Sequence, residues 1–335
     1  MEKLAIGIDL GGTNLKGIIM TEQGEGTHLT RVPTEAKKGG QKVLENILTL
    51  IDKLIQKEGS KDNIIGVGIG TPGFVDRDGT VIGGAENLPG WKGTNIYGPI
   101  QHRFGLPGTA GNDVTVAALA ESRFGAGKGV RNMVCLALGT GIGGGLVIND
   151  QLYKGSHGMA GELGHISVET NGLQCNCGQK GCVERYASAP GIVETAIRFS
   201  QELDEKHQTQ FSREVLRKPQ ALTSKIVYDY VKKNDPVACR VNEFTCDKLA
   251  HAIGIIVNSL SPDRIILGGG VMMAGQIIID TVSRYVPQYC WPEIWKRCDL
   301  AIAQLEENAG VLGAAGLVFE DFTDRRTLDD RRIVD

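Results

Sequence analysis

The chain has 335 residues, of which 41% are hydrophobic and 22% are charged, and its formal net charge is −3. A chain of this length can form two ordinary domains, each with its own core, and the composition is that of a globular protein. The small net charge and the lack of a long basic run argue against nucleic acid or an anionic membrane as the main partner.

The beginning of the chain indicates no export or membrane attachment. Residues Met1–Gly7 lack the charged and apolar regions and the cleavage site of a secretory signal. No apolar stretch reaches the roughly 18 residues that a membrane-spanning helix needs. We therefore expect a cytoplasmic protein with no membrane partner.

Two predicted β-hairpins have glycine-rich turns. In the first, apolar runs flank Asp9-Leu10-Gly11-Gly12-Thr13-Asn14, and in the second they flank Gly139-Thr140-Gly141-Ile142-Gly143-Gly144-Gly145. Aligning the two turns also aligns Gly17 with Gly145. This repeat, one hairpin at the start of each half, predicts two related domains that face one another.

Both turns are candidates for phosphate binding. Glycine permits positive φ angles and leaves main-chain N–H groups open, and such groups with a threonine hydroxyl nearby form an anion-binding concavity. Ordinary hairpin turns are the alternative, which the repetition of the pattern disfavours. The chain has no Walker A sequence. Its two G-x-G-x-x-G matches run into a strand and a proline turn instead of a helix, which excludes a dinucleotide-binding fold.

The remaining predicted elements alternate between helices and strands. They are a helix over 41–57, a buried strand over 64–70, a helix over 114–124, helical patterns over 191–203 and 225–260, a strand over 264–267 and a small-residue helix over 310–319. We expect the polar stretch over 204–223 to be a loop or an irregular surface helix. The alternation predicts the α/β class.

Asn112 and Asp113 stand between a Pro/Gly-rich stretch and the predicted helix over 114–124. Capping the helix is the ordinary role of such residues. A carboxylate there is also held ionised by the helix dipole, and an ionised Asp is what a general base for a hydroxyl nucleophile requires. Asp113 is therefore a candidate catalytic base.

The cysteine spacing is the most specific pattern in the chain. Cys175, Cys177 and Cys182 crowd into one short segment that follows His165. Three thiolates and one imidazole complete a tetrahedral Zn²⁺ shell, and four protein ligands indicate a structural metal. A set of reduced, buried cysteines is the alternative. Glu162 and Glu184 bracket the ligands, and carboxylates on a rigid loop would be good acceptors for sugar hydroxyls.

These patterns together resemble the ROK family of sugar kinases, in particular its bacterial glucokinases, over about residues 4–319. The resemblance implies an actin–hexokinase-like, ribonuclease H-like fold of two α/β domains, with the active site in the cleft between them. The expected small domain is 1–112, completed by a C-terminal helix at 310–322. The expected large domain is 113–309, and a charged tail follows at 323–335. The sequences that carry the resemblance are Asp9–Thr13, Glu86–Leu88, Asn112-Asp113, Gly139–Gly145, Glu162–His165 and Cys175–Glu184.

The resemblance also implies roles for single residues. Asp113 matches the catalytic base, and Asp9 would lie near the Mg²⁺ that accompanies ATP. The residues that match nucleotide-binding positions are Asp9, Gly11, Gly12, Thr13, Gly139, Thr140, Gly141, Gly269 and Gly270. Those that match sugar-binding positions are Asn87, Asn112, Glu162, His165 and Glu184. His165 would also bind zinc with Cys175, Cys177 and Cys182, one ring nitrogen on the metal and the other edge towards the sugar.

The implied substrates are ATP and a hexose. Glu86–Trp91 favours glucose, although kinases for N-acetylmannosamine, N-acetylglucosamine, mannose, allose or fructose share nearly all these motifs. Regulators of the family carry a DNA-binding domain before the first glycine turn, and the position of Asp9 leaves no room for one, so a non-catalytic sugar sensor is disfavoured. The resemblance leads us to expect a homo-oligomer, a dimer or a tetramer.

Overall fold

The computed structural model describes the backbone of residues 2–85 and 88–331, and within these ranges the side chains as far as Asp321. The chain divides into two compact units. The first comprises Met1–Gly129, Gly145–Gly161 and Gln304–Asp335, and the second Val130–Gly144 and Glu162–Ala303. The helix that begins at Asp113 therefore belongs to the first unit, whereas the predicted boundary assigns it to the second domain.

Strands and helices are interspersed along the described chain. The strands are β1 (Leu4–Leu10), β2 (Asn14–Thr21), β3 (Gly26–Pro33), β4 (Ile64–Thr71), β5 (Phe74–Val75), β6 (Val81–Gly83), β7 (Gly108–Asn112), β8 (Met133–Leu138), β9 (Ile142–Ile148), β10 (Gln151–Leu152), β11 (Arg264–Gly268) and β12 (Asp299–Ile302). The helices are α1 (Gly40–Glu58), α2 (Tyr97–Phe104), α3 (Asp113–Phe124), α4 (Glu184–Ala187), α5 (Ala189–Gln201), α6 (Gln210–Arg217), α7 (Ser224–Val231), α8 (Pro236–Leu260), α9 (Gln276–Tyr285), α10 (Pro292–Trp295) and α11 (Ala309–Arg331).

The two large sheets have the same plan. The first has the strand order β3-β2-β1-β4-β7 and the second β10-β9-β8-β11-β12. In the first, β1 pairs with β2 antiparallel, while β1–β4 and β4–β7 are parallel. In the second, β9–β10 is antiparallel, while β8–β11 and β11–β12 are parallel. The repeat seen in the two glycine-rich turns thus extends to whole sheets.

Side chains along β1 alternate between the two faces of the first sheet, as a strand requires. Ile6 and Ile8 are fully buried in a core with residues of α1 such as Ile47. Ala5 points to the other face, where it packs in a second core with Val311 of α11. Helix α1 therefore covers one face and α11 the other, and the period of two assigns Asp9 to the α11 face.

Small residues allow α11 to approach the first sheet closely. A Cβ placed on Gly7 would lie 2.2 Å from the carbonyl oxygen of Val311, and one on Gly68 would lie 1.8 Å from that of Ala314. On the side of α3, a Cβ on Gly313 would lie 1.7 Å from the carbonyl oxygen of Val116. Because α3 packs so tightly on α11, it belongs to the first unit.

Most predicted elements are confirmed, with three differences. The helical pattern over 225–260 forms two helices, because Asp235 caps α8 and Pro236, which has no backbone N–H, occupies its first position. The stretch over 204–223 contains the regular helix α6, whose first turn is closed by a capping box between Thr209 and Ser212. Helix α11 continues to Arg331, into the predicted tail, and its sequence after Gly316 has neither Gly nor Pro to end it; residues 332–335 lie outside the described ranges.

Among the described residues, no helix is both long and apolar enough to cross a membrane.

Candidate functional site

The carboxyl ends of three parallel strands align at one edge of the first sheet. Across β1 and β4, Asp9 pairs with Gly70, and across β4 and β7, Gly70 pairs with Gly111. The residues that follow Gly111 are Asn112 and Asp113. The sheet register therefore brings Asp9 and Asp113 to the same edge, which is where ligands bind in sheets of this kind.

Asp9 lies against the beginning of α11. A Cβ placed on Gly310 would lie 2.9 Å from Asp9 Oδ1, so only glycine leaves room for this carboxylate. Burial raises the pKa of Asp9 above its ordinary value, the charge of Lys16 lowers it, and the charge of Asp113 raises it again. A divalent cation would stabilise the ionised form of a carboxylate whose pKa is raised by burial and by a second carboxylate.

Asn112 and Asp113 share one backbone donor. The N–H of Val114 donates to Asn112 Oδ1 at 3.0 Å and to Asp113 Oδ1 at 2.8 Å, and Asn112 caps α3 as predicted. Burial raises the pKa of Asp113 above its ordinary value, although the backbone N–H groups and the Asn112 side chain lower it. Burial therefore outweighs the donors at the helix end, which were expected to dominate, and Asp113 is a stronger base than an exposed aspartate.

The first glycine turn, residues 9–14, is hydrogen-bonded to Thr34, a residue that sequence analysis did not identify. Thr34 is fully buried; its hydroxyl donates to the carbonyl oxygen of Gly11 at 2.6 Å, and its N–H donates to that of Thr13 at 2.9 Å. Gly12 and Thr13 are exposed. Thr34 thus fixes the turn while its outer side stays open for a ligand.

The conformational role expected of the turn glycines was wrong. None of Gly11, Gly12, Gly139 and Gly141 has a positive φ. Two of them instead lie close to other atoms: a Cβ on Gly11 would lie 2.8 Å from the carbonyl oxygen of Asn14, and one on Gly141 would lie 2.4 Å from Glu184 Oε2, so that this side chain would have to move.

The second glycine turn, residues 139–142, lies in the second unit. It is in contact with Gly164 and Glu184, which are more than 20 residues away along the chain. Glu184 Oε2 accepts a hydrogen bond from the N–H of Ile142 at 2.8 Å. A Cβ placed on Gly164 would lie 2.0 Å from the carbonyl oxygen of the same Ile142. Thr140 at the tip of the turn is exposed.

Gly269 and Gly270 follow β11 and lie beside the second glycine turn. The register that pairs Gly268 with Ala137 brings the ends of β8 and β11 together. Gly269 has a φ of 86°, which favours glycine, and a Cβ there would lie 2.4 Å from the carbonyl oxygen of Leu138. Gly270 is exposed with open space around it.

The cysteine loop, residues 162–184, gathers the four predicted metal ligands. The ligand atoms of His165, Cys175, Cys177 and Cys182 all lie within 4.8 Å of one another. The loop is closed by its own backbone: the N–H of Cys175 donates to the carbonyl oxygen of Gln179 at 2.8 Å. The ligands thus come from a tight turn and its two flanks.

The spacing of these atoms fits a tetrahedral zinc ion. Zinc bonds of about 2.3 Å to sulfur and about 2.0 Å to nitrogen place two sulfurs about 3.8 Å apart and a sulfur and a nitrogen about 3.6 Å apart. Cys177 Sγ and Cys182 Sγ are 3.6 Å apart, and Cys175 Sγ lies 3.7 Å from His165 Nδ1. His165 Nε2 faces away from the cluster, 3.6 Å from Glu162 Oε2.

The predicted site residues thus fall into two groups, one in each unit. Asp9, Gly11, Gly12, Thr13, Asn112 and Asp113 lie in the first unit, and Gly139, Thr140, Gly141, Glu162, His165, Glu184, Gly269 and Gly270 in the second. Asn87 lies outside the described residues. Thr34 and Gly164 were missed because each acts through a backbone contact with a distant segment, which leaves no local pattern in the sequence.

Comparison with known proteins gives the same family along most of the chain. The chain is similar to a glucokinase of Halalkalibacterium halodurans, with 36% identity over 315 residues that cover 93% of this chain and 94% of that protein. Its structure resembles a ROK hexokinase from Thermus thermophilus, with a TM-score of 0.82 and 27% identity over 96% of this chain and 99% of that one. It also resembles a ROK family glucokinase from Streptomyces griseus in complex with glucose and AMPPNP, with a TM-score of 0.74 and 30% identity over 94% of this chain and 98% of that one.

These likenesses bear out the prediction of an actin–hexokinase-like, two-domain α/β fold. The model of the ROK family matches residues 5–321. Because that match spans nearly the whole described chain, the protein belongs to the ROK family.

Proposed function

We propose that this protein is an ATP-dependent hexose kinase that transfers the γ-phosphoryl group to the 6-hydroxyl of glucose. The observation that carries the proposal is the half-buried carboxylate of Asp113, at the carboxyl edge of the first sheet and with a raised pKa. The similarity to glucokinases over nearly the full chain supports both the reaction and the sugar.

Asp113 would act as the general base. Its carboxylate would take the proton of the sugar hydroxyl while the hydroxyl oxygen attacks phosphorus, the bond to the β-phosphate oxygen breaks and ADP leaves. A base works best when its pKa approaches the working pH, so the burial that raises the pKa of Asp113 favours this role.

The nucleotide would be held by the glycine-rich segments. Residues Gly11, Gly12 and Thr13 would bind phosphate oxygens from the first turn, and Gly139, Thr140 and Gly141 from the second, with Gly269 and Gly270 beside the adenosine. Thr13 and Thr140 are both exposed, so their hydroxyls are open to a ligand. Mg²⁺ bound with ATP would reduce the phosphate charge, and Asp9 is the carboxylate placed to support it.

The sugar hydroxyls would be bound by Asn87, Asn112, Glu162, His165 and Glu184. Carboxylates and amides accept hydrogen bonds from hydroxyl groups, and such contacts can discriminate between hexoses by several orders of magnitude. His165 Nδ1 lies on the side of the cysteines and Nε2 on the side of Glu162, so Nε2 is the nitrogen that would contact a sugar.

A structural zinc ion would stabilise the cysteine loop. Freshly purified protein should contain about one zinc per chain, because three thiolates and an imidazole make a closed shell. Cys177→Ser should lose the zinc and weaken glucose binding, whereas Cys239→Ser, which changes a cysteine outside the loop, should keep both. Elemental analysis that finds no zinc in the wild type would contradict this assignment.

A panel of hexoses tests the proposed activity and substrate together. ADP release is followed with a coupled assay in the presence of glucose, mannose, fructose, allose, N-acetylglucosamine or N-acetylmannosamine. We expect the highest kcat/KM with glucose. Asp113→Asn should lower kcat by about 10²- to 10⁴-fold, the usual contribution of a general base. If that variant retains near-wild-type turnover, Asp113 is not the base; if another hexose gives the highest kcat/KM, the assignment of glucose is wrong.

A further inference from the structure

We infer that Glu184 is a positioning residue for the nucleotide as well as a ligand for the sugar. One of its carboxylate oxygens holds the second glycine turn, and the other is available to a sugar hydroxyl. Oε2 accepts the N–H of Ile142, the residue that ends the second glycine turn, at 2.8 Å. Among the described residues, Oε1 has no hydrogen-bond partner. The inference rests on the proposed function, since it assigns one residue to both of the proposed substrates.

The cysteine loop contacts Ile142 at both ends. Glu184, at its end, holds the N–H of Ile142, and Gly164, near its beginning, lies under the carbonyl group of Ile142 so closely that a Cβ would be 2.0 Å from that oxygen. The amide group on each side of Ile142 is therefore in contact with the loop that carries the proposed zinc ligands. The second glycine turn is fixed by that loop and not by its own hairpin alone.

The hydrogen bond between Glu184 and Ile142 depends on the space beside Gly141. A Cβ on Gly141 would lie 2.4 Å from Glu184 Oε2, so a larger residue at 141 would displace the carboxylate from its position at the N–H of Ile142. A hydrogen bond from a backbone N–H to a carboxylate is stronger than one between neutral groups. Gly141 thus leaves room for the Glu184 carboxylate in this position, which gives one glycine of the turn a role that needs no positive φ.

The functional consequence concerns how the turn presents its donors. Backbone N–H groups stabilise phosphate best when they are preorganised, and a turn that must first be ordered binds more weakly. With Ile142 held by Glu184, the turn is ready before the nucleotide arrives. Loss of the carboxylate should therefore weaken nucleotide binding even when no sugar is present.

The test is calorimetric titration of AMPPNP with Mg²⁺ into the sugar-free protein. Glu184→Ala should weaken AMPPNP binding about tenfold, the size expected when a charge-assisted hydrogen bond is lost. Glu184→Gln should restore the affinity to within about threefold, because its amide oxygen can still accept from Ile142. Glu162→Ala, a change at the other end of the cysteine loop, should weaken glucose binding and leave AMPPNP binding unchanged.

A residue that only binds sugar would give a different result. In that case Glu184→Ala would weaken glucose binding and leave the affinity for AMPPNP as in the wild type. This result would overturn the inference about Glu184 and leave the proposed kinase function unaffected. Failure of the wild type to bind AMPPNP would overturn the proposed function together with the inference. Circular dichroism and zinc content verify that each variant is folded.

Gly164→Ala provides a second route if Glu184→Ala does not fold. Its Cβ would press on the carbonyl oxygen of Ile142 from the other side of the turn, while Glu184 stays in place. This variant should also weaken AMPPNP binding in the absence of sugar. An unchanged affinity in a folded Gly164→Ala protein would show that the cysteine loop does not position the turn.

Discussion

At the scale of single residues, the property that suits Asp113 to catalysis also costs stability. Burial raises its pKa above the ordinary value, which means that the folded protein disfavours the ionised form. The ionised form is the one that a general base needs. The free energy of unfolding is therefore reduced at the pH at which the residue would work, as is common at active sites.

This balance predicts how Asp113→Asn changes stability with pH. Below about pH 4, the ordinary pKa of an unfolded aspartate, the carboxyl is protonated in both states and imposes no penalty. As the pH rises through the higher pKa of the folded state, the unfolded chain releases its proton first and the wild type loses stability. The neutral variant avoids this loss, and its Oδ1 can still accept the N–H of Val114.

Urea unfolding without nucleotide or Mg²⁺ measures the effect. Asp113→Asn should be more stable than the wild type at pH 7, and the difference should disappear towards pH 4. Asp62→Asn, a change at an exposed position, serves as the control and should leave the free energy of unfolding unchanged at both values. Equal or lower stability of Asp113→Asn at pH 7 would show that burial does not disfavour the carboxylate.

At the scale of elements, the position of Asp9 depends on how closely α11 approaches its neighbours. Gly7 and Gly68 bring α11 onto the first sheet, and Gly310 leaves room for the carboxylate at the beginning of the helix. Gly313 brings α3, with Asp113 at its start, against the same helix. Backbone contact between these elements thus sets the distance between the two carboxylates.

Two glycines of α11 give a matched test of this packing. A Cβ on Gly313 would lie 1.7 Å from the carbonyl oxygen of Val116, whereas the nearest atom to a Cβ on Gly316 is Leu119 Cδ2 at 3.4 Å. Both changes to alanine gain helix propensity. Gly313→Ala should lower the free energy of unfolding by about 2 kcal/mol through overpacking. Gly316→Ala should raise it by up to about 1 kcal/mol, and similar effects of both changes would contradict the packing described.

Secondary structure was largely predictable at this scale because the apolar periods are clear. The spacing of apolar residues over 41–57 corresponds to α1, with buried residues such as Ile47 and Ile51 on one face. The division at Asp235 and Pro236 was missed because the apolar period continues across it, although an Asp-Pro pair is an ordinary start of a helix. Local capping chemistry decided that boundary.

At the scale of the whole molecule, the sequence predicts the repeat and the residue types of the site. It does not predict the tertiary contacts that hold the glycine turns. The two glycine-rich turns indicated related halves, and both sheets indeed share one strand order. The cluster of His165, Cys175, Cys177 and Cys182 was predicted because the types and spacing of these residues are specific, and the four side chains do lie together. The contacts of Thr34 with Gly11 and of Glu184 with Ile142 were not, since tertiary structure alone brings these segments together.

The most direct test of the proposed kinase activity is to follow the phosphorus atoms. Wild-type protein is mixed with ATP, Mg²⁺ and glucose, and the products are observed by ³¹P NMR. Phosphoryl transfer predicts ADP and a hexose phosphomonoester in equal amounts, none of the ester with 6-deoxyglucose, and a strongly reduced rate with Asp113→Asn. Release of inorganic phosphate in place of the ester, or no consumption of ATP with glucose, would contradict the account.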